Sequence, residues 1–384
     1  MNQNSLHSAG AFEKNATRIT FFMAGFATAV WAALVPYAKV NAGVDEGTLG
    51  LLLLCLGGGA LIAMPLTGML TSKFGCRSVL TCSVLIFSLM LPVLSSISSI
   101  PLLVIALLAF GVGIGTTDCA MNMQAVIVER SLAKNMMSGF HGLYSVGGIV
   151  GAGIMSLLLI VGLSPQSACI ILTVCLIATL FFIRKGLFNF SDEQDGPAFA
   201  IPKGTVLVLG FICFIIFLTE GTVLDWSAVF LTEYRSMPEQ LGGLGFACFS
   251  ALMTLGRLTG DKLVSLYAPY KIVVIGAVIA AIGLTLSLCV PYWPIALVGY
   301  GLIGIGCANI APIMFSAAGK QKSMPQSIAI PAITTLAYTG VLAGPALIGF
   351  IAHQSTLPIA FLFVVFALIL VALISTKITV LHQK

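Results

Sequence analysis

Charged side chains are scarce in this sequence, and their scarcity excludes an ordinary soluble protein. Asp, Glu, Lys and Arg together make up 8% of the 384 residues, whereas a soluble domain carries about 25%. Hydrophobic residues account for 59% of the chain, and the mean hydropathy is +1.09. Water is therefore not the main solvent of this protein.

Cysteine is present, but it forms no pattern that points to a site. The ten cysteines are scattered singly, mostly within apolar stretches, without the spacing of a metal site or a disulfide framework. The sequence also lacks the HExxH, GxSxG and P-loop motifs. We therefore expect no metal, no cofactor and no enzymatic activity, and a proton gradient rather than ATP as the driving force of any transport.

Long apolar stretches are what the sequence has in abundance. Twelve of them are long enough to cross a hydrocarbon layer of ~30 Å, and the first has no small-residue cleavage site of the kind that ends a secretory signal. They predict an all-α, multi-pass membrane protein. The predicted spans cover residues 18–39, 49–71, 77–97, 101–128, 136–160, 166–185, 204–231, 241–261, 271–290, 293–317, 327–352 and 357–378.

The distribution of positive charge orients these spans. With a cytoplasmic N-terminus, sixteen of the eighteen Lys and Arg residues fall in cytoplasmic segments, and only Lys39 and Arg235 lie outside. Both termini are therefore expected in the cytoplasm, and the net charge of +5 needs no nucleic-acid partner. The longest connection contains an acidic run. It predicts an N-terminal six-helix bundle (1–185), a cytoplasmic linker (186–203) and a C-terminal six-helix bundle (204–384).

The two halves share short motifs in the same order. In the fourth span "GIGTTD" ends at Asp118, and in the tenth span "GIGCAN" ends at Asn309. "YSVGGIVGAG" in the fifth span corresponds to "YTGVLAGPAL" in the eleventh, and "LTG" occurs in the second and the eighth. This common order indicates a duplicated six-helix unit, which is the plan of transporters that work by alternating access.

Two of these regions resemble a known family. The loop "GMLTSKFGCR" after the second span resembles the glycine-acid-basic loop signature of the major facilitator superfamily, with Ser72 in place of the acid. The fourth span is similar to that of the fucose/galactose/hexuronate–proton symporters, which place an acid at the position of Asp118 and an asparagine at that of Asn122. The resemblance implies the fold of that superfamily, with twelve transmembrane helices in two pseudo-symmetric six-helix bundles. The first span lacks the acid that those symporters carry there.

Three carboxylates lie in the interior of the predicted spans, more than one helical turn from either end, namely Asp118, Glu220 and Asp225. A charged side chain at the centre of a span costs about 2.5–3.5 kcal/mol, so it normally faces the bundle interior or water. Asp118 shares a helix face with Asn122 and lies about 16 Å from the cytoplasmic end of its helix, near the midplane. Glu220 lies at a similar depth. We predict Asp118 and Glu220 as proton-coupling groups, and a buried acid that fixes helix packing is the alternative.

Other polar and aromatic side chains are candidates for contacts with the solute or for a gate. The substrate-binding candidates are Asn122, His141, Asn309, Trp31 and Tyr144. Packing is the alternative role for the aromatic residues, because most membrane aromatics are belt or packing residues. The gating candidates are Asp225, Trp226, Glu129, Arg130, Arg77 and Arg257. For Asp225 and Trp226 an interfacial anchor is an equal alternative, and for Glu129 and Arg130 a solvated helix end is the favoured alternative.

Taken together, these features predict a secondary active transporter that moves a sugar or related metabolite in symport with protons. The expected partners are a small-molecule substrate, protons and the lipid bilayer, and the protein is expected to act as a monomer in a bacterial inner membrane. A proton-driven exporter of drugs or other amphipathic molecules is the alternative, because lipid-facing and cavity-facing residues look alike in sequence. A sensor that binds a ligand without moving it is a further possibility.

Overall fold

The computed structural model describes residues 9–44, 46–190, 201–238 and 241–382. Within these residues the chain is helical, with no β-strand. The described helices are α1 (Ala11–Ala42), α2 (Glu46–Leu94), α3 (Ile100–Leu132), α4 (Met137–Ile160), α5 (Pro165–Ile183), α6 (Gly204–Arg235), α7 (Leu244–Leu266), α8 (Pro269–Cys289), α9 (Trp293–Cys307), α10 (Ile310–Lys320), α11 (Gln326–Gln354) and α12 (Leu357–Ser375).

Ten helical stretches of the described chain are long and apolar enough to cross a membrane. They include all helices except α7, with α9 and α10 counted together as Trp293–Lys320. The protein is therefore a multi-pass integral membrane protein. The count of twelve spans and the cytoplasmic position of the termini stay predictions.

The second and third predicted spans correspond to two helical segments of α2 that meet at a kink at Gly75. This residue has φ 77° and ψ 157°, outside the helical region. Glycine adopts positive φ without a steric penalty because it has no Cβ atom. The predicted connection between these spans is therefore a kink, since a single glycine changes the chain direction.

The tenth predicted span is interrupted near its centre. Helix α9 ends at Cys307, and α10 begins at Ile310, with Asn309 between them at φ −105° and ψ −3°. Such interruptions are tolerated inside a membrane where protein or water satisfies the freed groups.

The chain divides into two compact units. Unit 1 comprises Met1–Ala133, Leu143–Ile201 and Pro325–Ala332, and unit 2 comprises Lys134–Gly142, Pro202–Met324 and Ile333–Lys384. The start of α4 thus belongs to unit 2, and the start of α11 belongs to unit 1. The predicted division of the sequence at residues 186–203 stays a prediction.

Equivalent glycine pairs serve equivalent helix crossings in the two units. In unit 1, Gly147 and Gly151 of α4 lie against the backbone of α1, and in unit 2, Gly340 and Gly344 of α11 lie against that of α6. The contacted residues are Phe22, Phe26, Phe214 and Leu218. Small residues let membrane helices approach closely, and van der Waals packing then holds them together. The two small-residue motifs therefore have the same packing role, as a duplicated unit requires.

Candidate functional site

The polar face of α3 lies in unit 1 and carries Asp118 and Asn122. Asn122 is fully buried, and its Nδ2 donates to the backbone carbonyl of Asp118 at 2.8 Å. The carboxylate of Asp118 is half-buried, and no other residue of the described chain donates a hydrogen bond to it or forms an ion pair with it. A carboxylate in this situation can take a proton or accept a hydrogen bond from a solute.

The glycines of α3 bring this polar face close to a neighbouring helix. Gly111 lies against the backbone of Leu56 in α2, and Gly115 lies against Ala60 one turn further along α2. The helix that carries Asp118 therefore approaches α2 closely, and Asp118 follows Gly115 by three residues.

Glu220 and Arg257 form an ion pair inside unit 2. Arg257 Nη2 donates to Glu220 Oε1 at 3.1 Å, which joins α7 to α6. The side chains are only 9% (Arg257) and 22% (Glu220) exposed. Each charge compensates the other, since an isolated charge at this depth would carry a large desolvation cost. Glu220 therefore differs from Asp118 in having a cation beside it.

Asn309 contacts the backbone of α7 beside Arg257. Its Nδ2 donates to the carbonyl of Gly256 at 3.0 Å, so it holds the backbone next to the arginine. Its Oδ1 is buried without a hydrogen-bond donor, against Gly260 of α7 and Ser138 of α4. The amide thus lies in a helix interface, and its role in solute binding stays a prediction.

His141 is buried in unit 2 near the start of α4. Its ring stacks on Phe315 of α10, with 5.7 Å between the ring centroids and an interplanar angle of 25°. Arg257 lies close enough to His141 to interact with it electrostatically. We call His141, Glu220, Arg257 and Asn309 the unit-2 cluster.

Asp261, which was not among the predicted site residues, holds the start of α4 to α7. The backbone N–H of Gly139 donates to Asp261 Oδ1 at 3.0 Å. The first N–H groups of a helix have no partner within the helix, and a carboxylate there also interacts favourably with the helix dipole. The sequence signal that could have identified Asp261 is its position directly after "LTG" in the eighth span. The first copy of this motif has no acid at that position.

Trp31 and Tyr144 lie in unit 1, as Asp118 does. Trp31 is 4% exposed, and its ring contacts that of Phe110 in α3 at a centroid distance of 6.1 Å. The hydroxyl of Tyr144 lies 3.5 Å from Thr28 Oγ1 in α1. Both side chains thus contact helices of unit 1, and stacking on a sugar ring stays a prediction.

The predicted gate residues occupy different environments. Asp225 is exposed, and Trp226 packs over Gly349 of α11. Glu129 is buried, and the neighbouring Arg130 donates to the side chain of Gln326 at the start of α11. The guanidinium of Arg77 binds backbone carbonyls that follow α5. The guanidinium of Arg257 binds the carboxylate of Glu220. Their function in gating stays a prediction.

The described chain contains no group of three or more His, Cys, Asp or Glu side chains that could hold a metal ion. The candidate residues for proton coupling and substrate binding, together with Arg257, fall into two sets, one in each unit. Unit 1 contains Asp118, Asn122, Trp31 and Tyr144, and unit 2 contains the unit-2 cluster. Each set centres on one carboxylate, and only the carboxylate in unit 2 has an arginine.

Comparison with known proteins gives a consistent result. The family model of the Major Facilitator Superfamily matches residues 19–224. An uncharacterized MFS-type transporter of Yersinia pestis is 47% identical over 371 residues, which cover 96% of this chain and 97% of that protein. The membrane protein MosC of Rhizobium meliloti is 29% identical over 93% of this chain and 88% of its own length.

Two solved structures have a similar fold. A crystal structure of the fucose:proton symporter FucP of E. coli superimposes with a TM-score of 0.74 at 15% identity, covering 98% of this chain and 100% of that chain. The human organic anion transporter MFSD10 has a TM-score of 0.75 at 14% identity, covering 94% of this chain and 98% of that chain. At these identities the likeness concerns the fold alone.

Proposed function

Because the chain belongs to the Major Facilitator Superfamily, we propose that it moves a small polar solute, a sugar or related metabolite, in symport with protons by alternating access. The family itself consists of membrane transporters, which gives the coarse function. The observation that carries the finer proposal is the carboxylate of Asp118, which has no cationic partner within the described chain. An ionisable group inside a span marks a path for protons or solutes.

Asp118 and Glu220 differ in how readily they can accept a proton. A cation beside a carboxylate stabilises its charged form, so a carboxylate without one takes a proton more readily. Asp118 has no cationic partner within the described chain, whereas Glu220 is held beside the guanidinium of Arg257 at 3.1 Å. We therefore assign proton uptake first to Asp118. Glu220 accepts a proton only in a state in which its ion pair with Arg257 is open.

The chemistry near Asp118 suits a solute with several hydroxyl groups. Carboxylate oxygens accept hydrogen bonds from hydroxyls, and the half-buried ring of Tyr144 in the same unit offers an apolar face for a sugar ring. The sugar class depends on the resemblance of "GIGTTDCAMN" to sugar–proton symporters. The proposed transporter acts as a monomer in a bacterial inner membrane, with both termini in the cytoplasm.

Transport in proteoliposomes tests the proton assignment. Purified wild-type protein is reconstituted, an inward proton gradient is imposed, and uptake of labelled L-fucose, D-galactose and D-glucuronate is measured. We expect accumulation of at least one sugar in the wild type. Asp118→Asn should lose this accumulation and retain counterflow exchange, because it cannot carry a proton. Glu233→Gln, which changes an exposed carboxylate at the end of α6, is the matched control.

The outcomes separate the parts of the proposal. Full proton-driven accumulation in both Asp118→Asn and Glu220→Gln would refute the role of these acids. Extrusion of an amphipathic dye, together with the absence of sugar uptake, would instead identify a drug exporter of the same fold. Thermal stabilisation by a sugar without any flux would identify a sensor.

A further inference from the structure

The chain does not become a free linker directly after α5. Residues 184–190, which we call the strap, begin with the 3-10 turn Arg184–Gly186 and continue to Phe190. Within the strap, Gly186, Leu187 and Phe188 are buried. Residues predicted as the first part of a cytoplasmic linker are therefore packed into unit 1.

The kink in α2 supplies most of the hydrogen bonds that hold the strap. The side chain of Arg77 donates from Nε to the carbonyl of Leu187 at 2.8 Å and from Nη2 to that of Lys185 at 2.9 Å. Its backbone N–H donates to the carbonyl of Phe188 at 2.7 Å, and that of Cys76 donates to Phe190 at 3.5 Å. Four carbonyls of the strap thus find donors on two consecutive residues.

Gln124 of α3 binds the strap from the other side. Its Oε1 accepts from the backbone N–H of Phe188 at 3.1 Å, and its Nε2 lies 3.3 Å from the carbonyl of Gly186. The same Nε2 lies 3.4 Å from Thr17 Oγ1 in α1. Gln124 is completely buried, so these contacts satisfy an amide that would otherwise be costly at this position. It follows Asn122 by two residues on the helix that carries Asp118.

Gly75 completes the binding surface. A Cβ atom on this residue would collide with the backbone of Asn189 in the strap. The glycine therefore serves two requirements at once, the positive φ of the kink and the close approach of the strap. A residue with a Cβ atom meets neither requirement, because positive φ strains its backbone and its Cβ would collide with the strap.

We propose that the strap and its receptor, formed by Gly75, Cys76, Arg77 and Gln124, are a clasp that fixes the cytoplasmic part of α3 to α1, α2 and the end of α5. Arg77 and Gln124 are positioning residues in this clasp. The clasp holds the helix of Asp118 and Asn122 in register with its neighbours, whatever the solute.

The thiol of Cys76 reports whether the clasp is closed, because it is fully buried beside the strap. Purified full-length protein in detergent is treated with N-ethylmaleimide, and labelling of Cys76 over time is measured by mass spectrometry. Cys119 of α3, which is also fully buried, is the internal control for global unfolding. We expect labelling of Cys76 to be about tenfold faster in Arg77→Ala, since two hydrogen bonds from a charged donor are lost.

Three further variants make the test specific. Lys73→Ala removes an exposed cation of the same loop and should leave labelling unchanged. Gln124→Leu keeps the side-chain volume but removes the amide, and Gly75→Ala displaces the strap without changing Arg77 or Gln124. Both should accelerate labelling of Cys76 and leave Cys119 protected. They should also open the Lys185–Gly186 bond to trypsin.

The clasp is refuted if Arg77→Ala, Gln124→Leu and Gly75→Ala all label Cys76 at the rate of Lys73→Ala. It is refuted equally if Cys119 is labelled as fast as Cys76 in every variant, because these residues then maintain the fold as a whole rather than the strap. If Arg77→Ala alone fails to fold, Arg77→Lys decides. A lysine cannot reach both carbonyls, so Cys76 should again be labelled faster.

Discussion

The guanidinium of Arg257 lies 3.1 Å from the carboxylate of Glu220, and this contact joins α6 to α7 within unit 2. The other carboxylate predicted to couple protons, Asp118, has no such partner in the described chain. The two acids therefore differ in their surroundings and in what their removal leaves behind. This difference leads to distinct mutational effects.

Neutralising one member of the ion pair should destabilise the protein more than neutralising both. Glu220→Gln leaves the buried Arg257 without its carboxylate, at a cost of about 3–5 kcal/mol, whereas a buried pair replaced on both sides is often nearly neutral. The unfolding midpoint in detergent should therefore fall in Glu220→Gln and recover largely in Glu220→Gln/Arg257→Met. A double variant as unstable as the single one would contradict this account.

Removal of the acid that caps α4 should loosen the start of that helix. Asp261→Ala leaves the N–H of Gly139 without its acceptor and should cost about 0.5–2 kcal/mol, as the loss of other helix N-terminal acceptors does. Asp261→Asn keeps an oxygen acceptor and should cost less. Lys262→Ala is the adjacent control, and hydrogen exchange at residues 137–141 is the measurement. Equal exchange in all three variants would argue against a capping role.

The glycine crossings of α4 and α11 should be intolerant of alanine. In Gly147→Ala and Gly340→Ala, the new methyl group meets the backbone of Phe22 or Phe214, so both variants should lower the unfolding midpoint. Gly153→Ala is the matched control, because nothing lies within 4 Å of its position. It should be neutral or gain up to about 1 kcal/mol from helix propensity. Three equal midpoints would show that these crossings are not tight.

Asn309 and Gly260 should be energetically coupled. In Gly260→Ala, the new methyl group collides with Asn309 Oδ1 and with Ser138, which should destabilise unit 2. Asn309→Ala removes the hydrogen bond to Gly256 and part of that collision. The loss of stability in the double variant should therefore be smaller than the sum of the two single losses, by about 0.5–3 kcal/mol, as for other residues in contact. Strict additivity in thermal unfolding would refute the contact.

Much of the helical framework could be predicted because apolar stretches and small-residue motifs act locally along the sequence. The shared motifs with Gly147 and Gly340 indicated a duplication, and the structure places both glycines in equivalent helix crossings. A break between the second and third spans was predicted, and the structure places it at Gly75, whereas the interruption at Asn309 was not predicted. At Asn309 the backbone changes within a stretch that stays hydrophobic, so hydropathy carries no trace of it.

The polar contacts were harder to predict. Gln124 is an amide in an apolar run, so its burial could have been suspected, but its partners Gly186 and Phe188 lie 62 and 64 residues away. Arg77 was predicted as a gate residue, which stays a prediction, and the carbonyls after α5 that its guanidinium binds could not be foreseen. A motif identifies a residue type at a position, and it does not identify which backbone will pack beside it.

By itself, the sequence determined that this is a helical, multi-pass membrane protein with a few buried polar groups, because composition and hydropathy follow from the residues alone. Only the tertiary structure decided which of those groups have partners. Glu220 and Arg257 are 37 residues apart, and Arg77 and Leu187 are 110 apart. Hydrogen bonds form only within about 3.5 Å, and helical periodicity does not specify which distant segments come that close.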